Sequence, residues 1–185
     1  VGKDAVIKKL TFENVNINCP SLNNVGACAG KVTSPATLSG ITVASGTITG
    51  GSNVGGIIGL SEYPNTLSNS KNCTAVSGKD YVAGLVGRSN AGGTETYSTC
   101  KNHGDITASS GCAAGIVGSI DGNVTFKNCL NEGKISAYKN AGGLVSSATY
   151  NVKITKSVNS GDVTSQTLNA GGLIGYDNTQ AALTI

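Results

Sequence analysis

The sequence predicts an all-β protein, a parallel β-solenoid (β-helix) of about 29 residues per coil with three short strands in each coil. Three observations predict it. A glycine-flanked apolar motif recurs at nearly constant spacing, a second motif built on Asn and Gly recurs in phase with it, and the composition is that of strands and tight turns.

The first motif reads VGGIIG at Val54–Gly59, VAGLVG at Val82–Gly87, AAGIVG at Ala113–Gly118, AGGLVS at Ala141–Ser146 and AGGLIG at Ala170–Gly175. A degenerate copy, VGACAG, lies at Val25–Gly30. From the end of one copy to the next the steps are 29, 28, 31, 28 and 29 residues. Glycines here suit a tight corner and close backbone approach. The spacings Gly-x-x-x-x-Gly-Lys-Ser/Thr and Gly-x-Gly-x-x-Gly that cradle phosphates are missing, so these are not nucleotide loops.

The second motif reads CKNHGDITAS (Cys100–Ser109), CLNEGKISAY (Cys129–Tyr138) and SVNSGDVTSQ (Ser157–Gln166), with TVASGTITGG (Thr42–Gly51) a looser copy. CTAVSG (Cys73–Gly78) aligns on its cysteine with about three residues missing from the turn. A third segment with apolar alternation, such as VTFKNC (Val124–Cys129), precedes each. None of the three is long enough for a typical helix of ~11 residues. Stacked coils put equivalents in columns: Ile48, Val76, Ile106, Ile135 and Val163 in one, and Ile58, Val86, Val117, Val145 and Ile174 in another. Residues 1–185 then form a single solenoid segment, with 1–30 a degenerate first coil, 31–175 the regular coils and 176–185 the start of a further one. Strands that begin and stop in mid-repeat lead us to expect a piece of a longer repeat protein.

Composition excludes several classes. The net charge of +3 with aromatics at 4% is too little to grip and stack nucleic acid. No apolar run approaches the ~20 residues of a membrane span, so no membrane insertion is expected in this segment. No Cys-x-x-Cys occurs and His103 is the single histidine, so no metal or other cofactor is expected; His103 reads as a solvated turn residue.

The repeat AGGLVGx, a variable stretch, then C/S-x-N-x-G-D/K-I/V-T/S resembles the GLUG motif, from about Val25 onward and most weakly in the first and third units. The resemblance implies a secreted or surface-anchored module, as in adhesin-like proteins and the non-catalytic N-terminal regions of immunoglobulin A-cleaving metallopeptidases. It carries no catalytic residue with it. Expected partners are a host or matrix protein or glycan, or neighbouring copies of the chain itself.

Cys73, Cys100 and Cys129 are expected to stack as a ladder of buried thiols, and Cys19 and Cys28 are the candidate disulfide pair at the N-terminal edge. Asn72 (NCT) and Asn123 (NVT) are candidate N-glycosylation sites. Asp105 and Asp162 stand two coils apart, roughly 9.6 Å, at the outer limit for an inverting glycosidase pair. Lys134 between them favours a surface ladder of alternating charge instead, against the alternative of a carbohydrate-active enzyme or a spacer attached to one. Thr49, Ser77, Thr107, Ser136 and Thr164 form a hydroxyl column, but Thr47, Asp105, Lys134 and Asp162 beside it spoil a flat ice- or crystal-binding face. Asn102, Asn131 and Asn159 form a column suited to satisfying turn backbone. The reading is a non-enzymatic extracellular structural or adhesion module, with a self-assembling fibre subunit as its variant.

Overall fold

A computed structural model describes residues 4–178, 183 and 184. The described residues contain strands and no helix, and every strand pairs in parallel with its equivalent in the adjacent coil. The coils climb through four walls. Wall B stacks Val15–Asn18, Gly46–Thr49, Ala75–Gly78, Ile106–Ala108, Ile135–Ala137 and Val163–Ser165. Wall C runs from Ser52–Gly55 through Asp80–Ala83, Ala113–Ala114 and Ala141–Gly142 to Ala170–Gly171. Wall D stacks Ala29–Val32, Ile58–Ser61, Val86–Ser89, Val117–Ile120, Val145–Ala148 and Ile174–Asp177.

Wall A forks. Ala5–Phe12 lies along Ala36–Val43, and from there one branch continues as Thr66–Ser68, Thr94–Ser98, Asn123–Lys127, Val152–Thr155 and Leu183–Thr184. The other branch is Lys71–Asn72, Lys101–Asn102, Leu130–Asn131 and Val158–Asn159. A column of left-handed residues makes the fork: Lys9, Gly40, Asn69, Thr99, Asn128 and Lys156, with φ of 55, 67, 49, 54, 53 and 49°. One such residue turns the chain sharply without a loop. In the first two coils the strand bends there and stays paired; in the later coils the same bend divides it.

The expected three segments per coil are therefore present, but two of them bend in the middle, giving five paired strands, as in 94–98, 101–102, 106–108, 113–114 and 117–120. The bend explains a feature of the first motif. Its central doublet, Ile57-Ile58, Leu85-Val86, Ile116-Val117 or Leu144-Val145, breaks strand alternation because a corner lets both side chains point inward, and all eight are at most 1% exposed.

Both expected apolar columns form with the expected partners, from Ile48 to Val163 and from Ile58 to Ile174. Full burial of such side chains is worth about 1.5–3 kcal/mol each, which a lone coil cannot gain. Tyr97 stacks on Phe126 in the next coil at 5.4 Å between ring centres and 19° between planes, both rings buried in the core.

Candidate functional site

The strongest interior feature is polar. Asn72, Asn102 and Asn131 are fully buried, and Asn159 is half-buried above them. The amide nitrogens of Asn72, Asn102 and Asn131 each donate twice. One hydrogen goes to the carbonyl two residues on, at Thr74, Gly104 or Gly133 (2.8–2.9 Å), closing the turn. The other reaches the amide oxygen of the next asparagine at 3.0, 2.8 and 2.7 Å in turn. The glycine at the third position of the first motif makes room for this ladder and for the backbone of the next coil. A Cβ on Gly84, Gly115 or Gly143 would sit 2.3–2.5 Å from the side chain of Asn102, Asn131 or Asn159. The two repeated motifs are thus halves of one device, an amide stack and the gap that admits it.

This ladder corrects the expected cysteine column. Lys71 and Asn72 pair with Lys101 and Asn102, so Lys-Asn-Cys-Thr aligns with Lys-Asn-His-Gly and no residue is missing from the turn. Cys73 therefore lies level with His103, half-exposed, and Ser70 takes the place level with Cys100. The column is Ser70, Cys100 and Cys129, all buried, with Ser157 half-buried at its end. Both thiols donate to wall A carbonyls, Leu67 and Tyr97, at 3.3 Å, and Ser157 Oγ accepts from the Cys129 N–H. Contact with Cys129 and burial push the Cys100 thiol well above its ordinary range. Cys19 and Cys28 are free, half-buried thiols rather than a disulfide: Cys19 follows the wall B strand and Cys28 precedes the wall D strand, on different sides of the coil.

Asn72 also loses its reading as a glycan acceptor in the folded chain. Its side chain is 0% exposed and its oxygen accepts from the N–H and hydroxyl of Thr74, the hydroxyl residue of the same sequon. Asn123 begins a wall A strand, is half-exposed and accepts a hydrogen bond from Asn151. On wall B, Asp105, Lys134 and Asp162 do stand in one outward column, and the Asp105 carboxylate takes the Lys134 backbone N–H at 2.9 Å. The hydroxyl column bonds to itself, Thr49 to Ser77 at 3.0 Å and Thr164 to Ser136 at 3.4 Å. His103 is not merely solvated, for its Nδ1 pairs with Glu132 in the next coil. The described residues bring no three His, Cys, Asp or Glu side chains together in a metal-binding group. No helix among them is long and apolar enough to cross a membrane.

Two features escaped sequence reasoning. The first is Glu95, 1% exposed inside wall A. Tyr97 OH donates to its Oε2 at 2.7 Å, and Ser61 Oγ lies 3.3 Å from its Oε1. Ser61 has one hydrogen, and the Tyr63 carbonyl 3.1 Å away also takes it. Burial raises the Glu95 carboxyl above its ordinary range, opposed in part by the hydroxyls of Tyr97, Ser89 and Ser61 beside it.

The second is a groove on the outer side of walls C and D. Asn24, Asn53, Tyr81, Cys112, Asn140 and Asn169 occupy one corner column. Asn53 donates to Asn24 and Asn169 to Asn140, a second amide ladder. Tyr81 and Cys112 interrupt it, and Asn53 Oδ1 is left buried with no donor. Tyr81 keeps the left-handed backbone of the asparagines below it (φ 51°), an unusual state for an aromatic residue. Its ring carries the Arg88 guanidinium at 4.9 Å, and Arg88 Nε is buried without an acceptor. Along the wall D outer column Arg88 is followed by Ser119, Ser147 and Tyr176. Two small residues between large ones leave a hollow of about 480 Å³, to which Asp121 and Lys139 also contribute.

No family model matches this chain, and no curated protein or solved structure matches it.

Proposed function

We propose that the chain is a non-enzymatic extracellular module, a stiff rod of an adhesin-like or otherwise surface-presented repeat protein whose outer walls meet a host or matrix partner. One observation carries this reading. The residues that define the repeat are consumed by coil-to-coil structure: the asparagines by the buried ladder and the glycines by the space it needs. The turn residues that vary from coil to coil, such as His103, Glu132 and Ser160, are turned outward, where they can specialise without touching the core. The likeness of the two motifs to GLUG repeats supports a secreted setting. Parallel coils hydrogen-bonded along their whole length resist bending, which suits projection from a surface.

The test is binding without turnover. The purified chain is applied to arrays of glycans and extracellular-matrix proteins, and the eluted glycans are weighed by mass spectrometry. Retention of an intact glycan or matrix protein supports the proposal. Cleaved product, lost on Asp105→Asn or Asp162→Asn, would refute it and favour a carbohydrate-active enzyme. End-to-end fibres in electron micrographs, with no binding to either array, would replace it with the self-assembling variant.

A further inference from the structure

We infer that the groove between Arg88 and Tyr176 is a binding site for a short acidic oligosaccharide, a chain of pyranose sugars bearing a carboxylate. This deepens the reading of the chain as a presenting surface and rests on it.

The argument begins with what the coil gives up to make the groove. Elsewhere the corner column pairs asparagine with asparagine, an inexpensive and self-satisfying arrangement. At Tyr81 the structure instead holds an aromatic residue in left-handed backbone and leaves Asn53 Oδ1 buried without a donor. Departures of this kind persist where they serve a site. They place the chain's single arginine, Arg88, over the Tyr81 ring, 4.9 Å from its centroid. Contact with the ring and burial of Nε hold the guanidinium in place, and Arg88 forms no ion pair among the described residues, whose two pairs are Lys31–Glu62 and His103–Glu132. Of the nearby carboxylates, Asp80 is turned to backbone, its Oδ1 accepting the Tyr81 and Cys112 N–H groups at 2.9 Å. A held, unpaired guanidinium fork matches a carboxylate in two hydrogen bonds, a geometry a lysine cannot supply.

The remainder of the hollow fits sugar hydroxyls better than peptide or base. From Arg88 to Tyr176 is three coil spacings, about 14 Å at ~4.8 Å each, the length of a two- or three-sugar chain. The floor is Ser119 and Ser147, hydrogen-bonded to each other at 3.2 Å. Asp121 at the rim offers an acceptor for ring hydroxyls. At the far end the Tyr176 ring is 43% exposed, free to lie against the apolar face of a pyranose. Formal charge in the groove balances, Arg88 and Lys139 against Asp80 and Asp121. Selectivity then comes from the placed fork rather than from net attraction, so polyanions as such are poor ligands.

The full chain is titrated, by calorimetry and by amide chemical shifts, with trigalacturonate, sialyllactose, lactose and tetraglutamate. Binding of either carboxylated sugar is expected, with lactose at least about tenfold weaker for want of the charge-assisted pair. Arg88→Gln should cost a similar factor. Ser147→Phe, on the outer side of wall D, should block the groove while leaving the unfolding midpoint and the Asn102 amide signals in place. Trigalacturonate alone or sialyllactose alone would say which carboxylate position fits. The inference is overturned if lactose or tetraglutamate binds as tightly as the acidic sugars, if neither acidic sugar binds at millimolar concentration, or if binding survives both substitutions. Each of these leaves the broader proposal standing, whereas cleavage of a bound sugar would defeat that proposal while leaving the groove assignment intact.

Discussion

Removing one amide from the middle of the buried ladder should be among the most damaging small changes this fold can suffer. In Asn102→Ala three hydrogen bonds vanish: to the Gly104 carbonyl (2.8 Å), to Asn131 Oδ1 (2.8 Å) and from Asn72 Nδ2 (3.0 Å). The partners stay behind in a region that is 0% exposed, so the relevant quantity is the desolvation cost of orphaned groups rather than the net value of a bond. At about 1–3 kcal/mol per orphan, and with some relief from an entering water, the loss comes to about 3–5 kcal/mol. Asn159→Ala is the internal control. That residue is half-exposed, and only its bonds to Gly161 O and from Asn131 are at stake, with water at hand to replace them. It should cost about 1 kcal/mol. For a chain of this size the difference is on the order of 10 °C in melting temperature. Because a solenoid can open coil by coil, amide hydrogen exchange across 98–135 should accompany thermal and urea unfolding. Equal losses for the two variants, within about 1 kcal/mol, would show that the ladder is decoration and that apolar columns alone hold the coils.

Four other outcomes follow from the same structure. Gly115→Ala should destabilise the fold by about 3 kcal/mol, since its Cβ would lie 2.3 Å from Gly143 O and 2.5 Å from Asn131, whereas Gly172→Ala, with nothing within 4 Å, should be nearly neutral in the same melts. Glu95 keeps its proton in the folded state above the ordinary carboxylate range, so its contribution is intact at low pH and is lost as pH rises through the unfolded value towards the folded one. Glu95→Gln should accordingly raise the melting temperature near neutral pH and change it little in acid; a constant offset at all pH values would contradict the raised pKa. Thiol labelling of the native protein should modify Cys73 quickly and spare Cys100 and Cys129, which are at most 1% exposed, until denaturant is added. In a glycosylating host, Asn72→Gln should unfold or destabilise the chain by removing its first ladder amide, while Asn123→Gln should remove any glycan and leave the fold intact.

The repeat, its length and both apolar columns were legible because stacking in register copies one coil's pattern onto the next. The limits were equally physical. Aligning the shortened unit on Cys73 rather than on Lys71 and Asn72 displaced it by three residues, since a thiol is conspicuous in sequence while the amide that does the bonding is one of many asparagines. Corners made by a single left-handed residue, such as Thr99 or Lys156, carry no glycine to announce them. Doublets such as Leu85-Val86 concealed a bend because two adjacent apolar residues read as an ordinary buried strand. The groove was invisible for a different reason: Tyr81 and Arg88 become significant only when the neighbouring coils supply asparagines below and serines above.

The amide ladder also has a sense of direction. Asn72, Asn102 and Asn131 each donate to the asparagine of the coil on their C-terminal side, and at the other end the Asn72 oxygen is occupied by Thr74 of its own turn. The dipoles are therefore aligned head to tail, each bond polarising the next. A rod wired this way can be lengthened or shortened only by whole coils in phase, as a chain gains or loses links. Duplicating a unit such as residues 102–130 should preserve every donor–acceptor match, whereas an insertion of half that length would bring a donor against apolar wall.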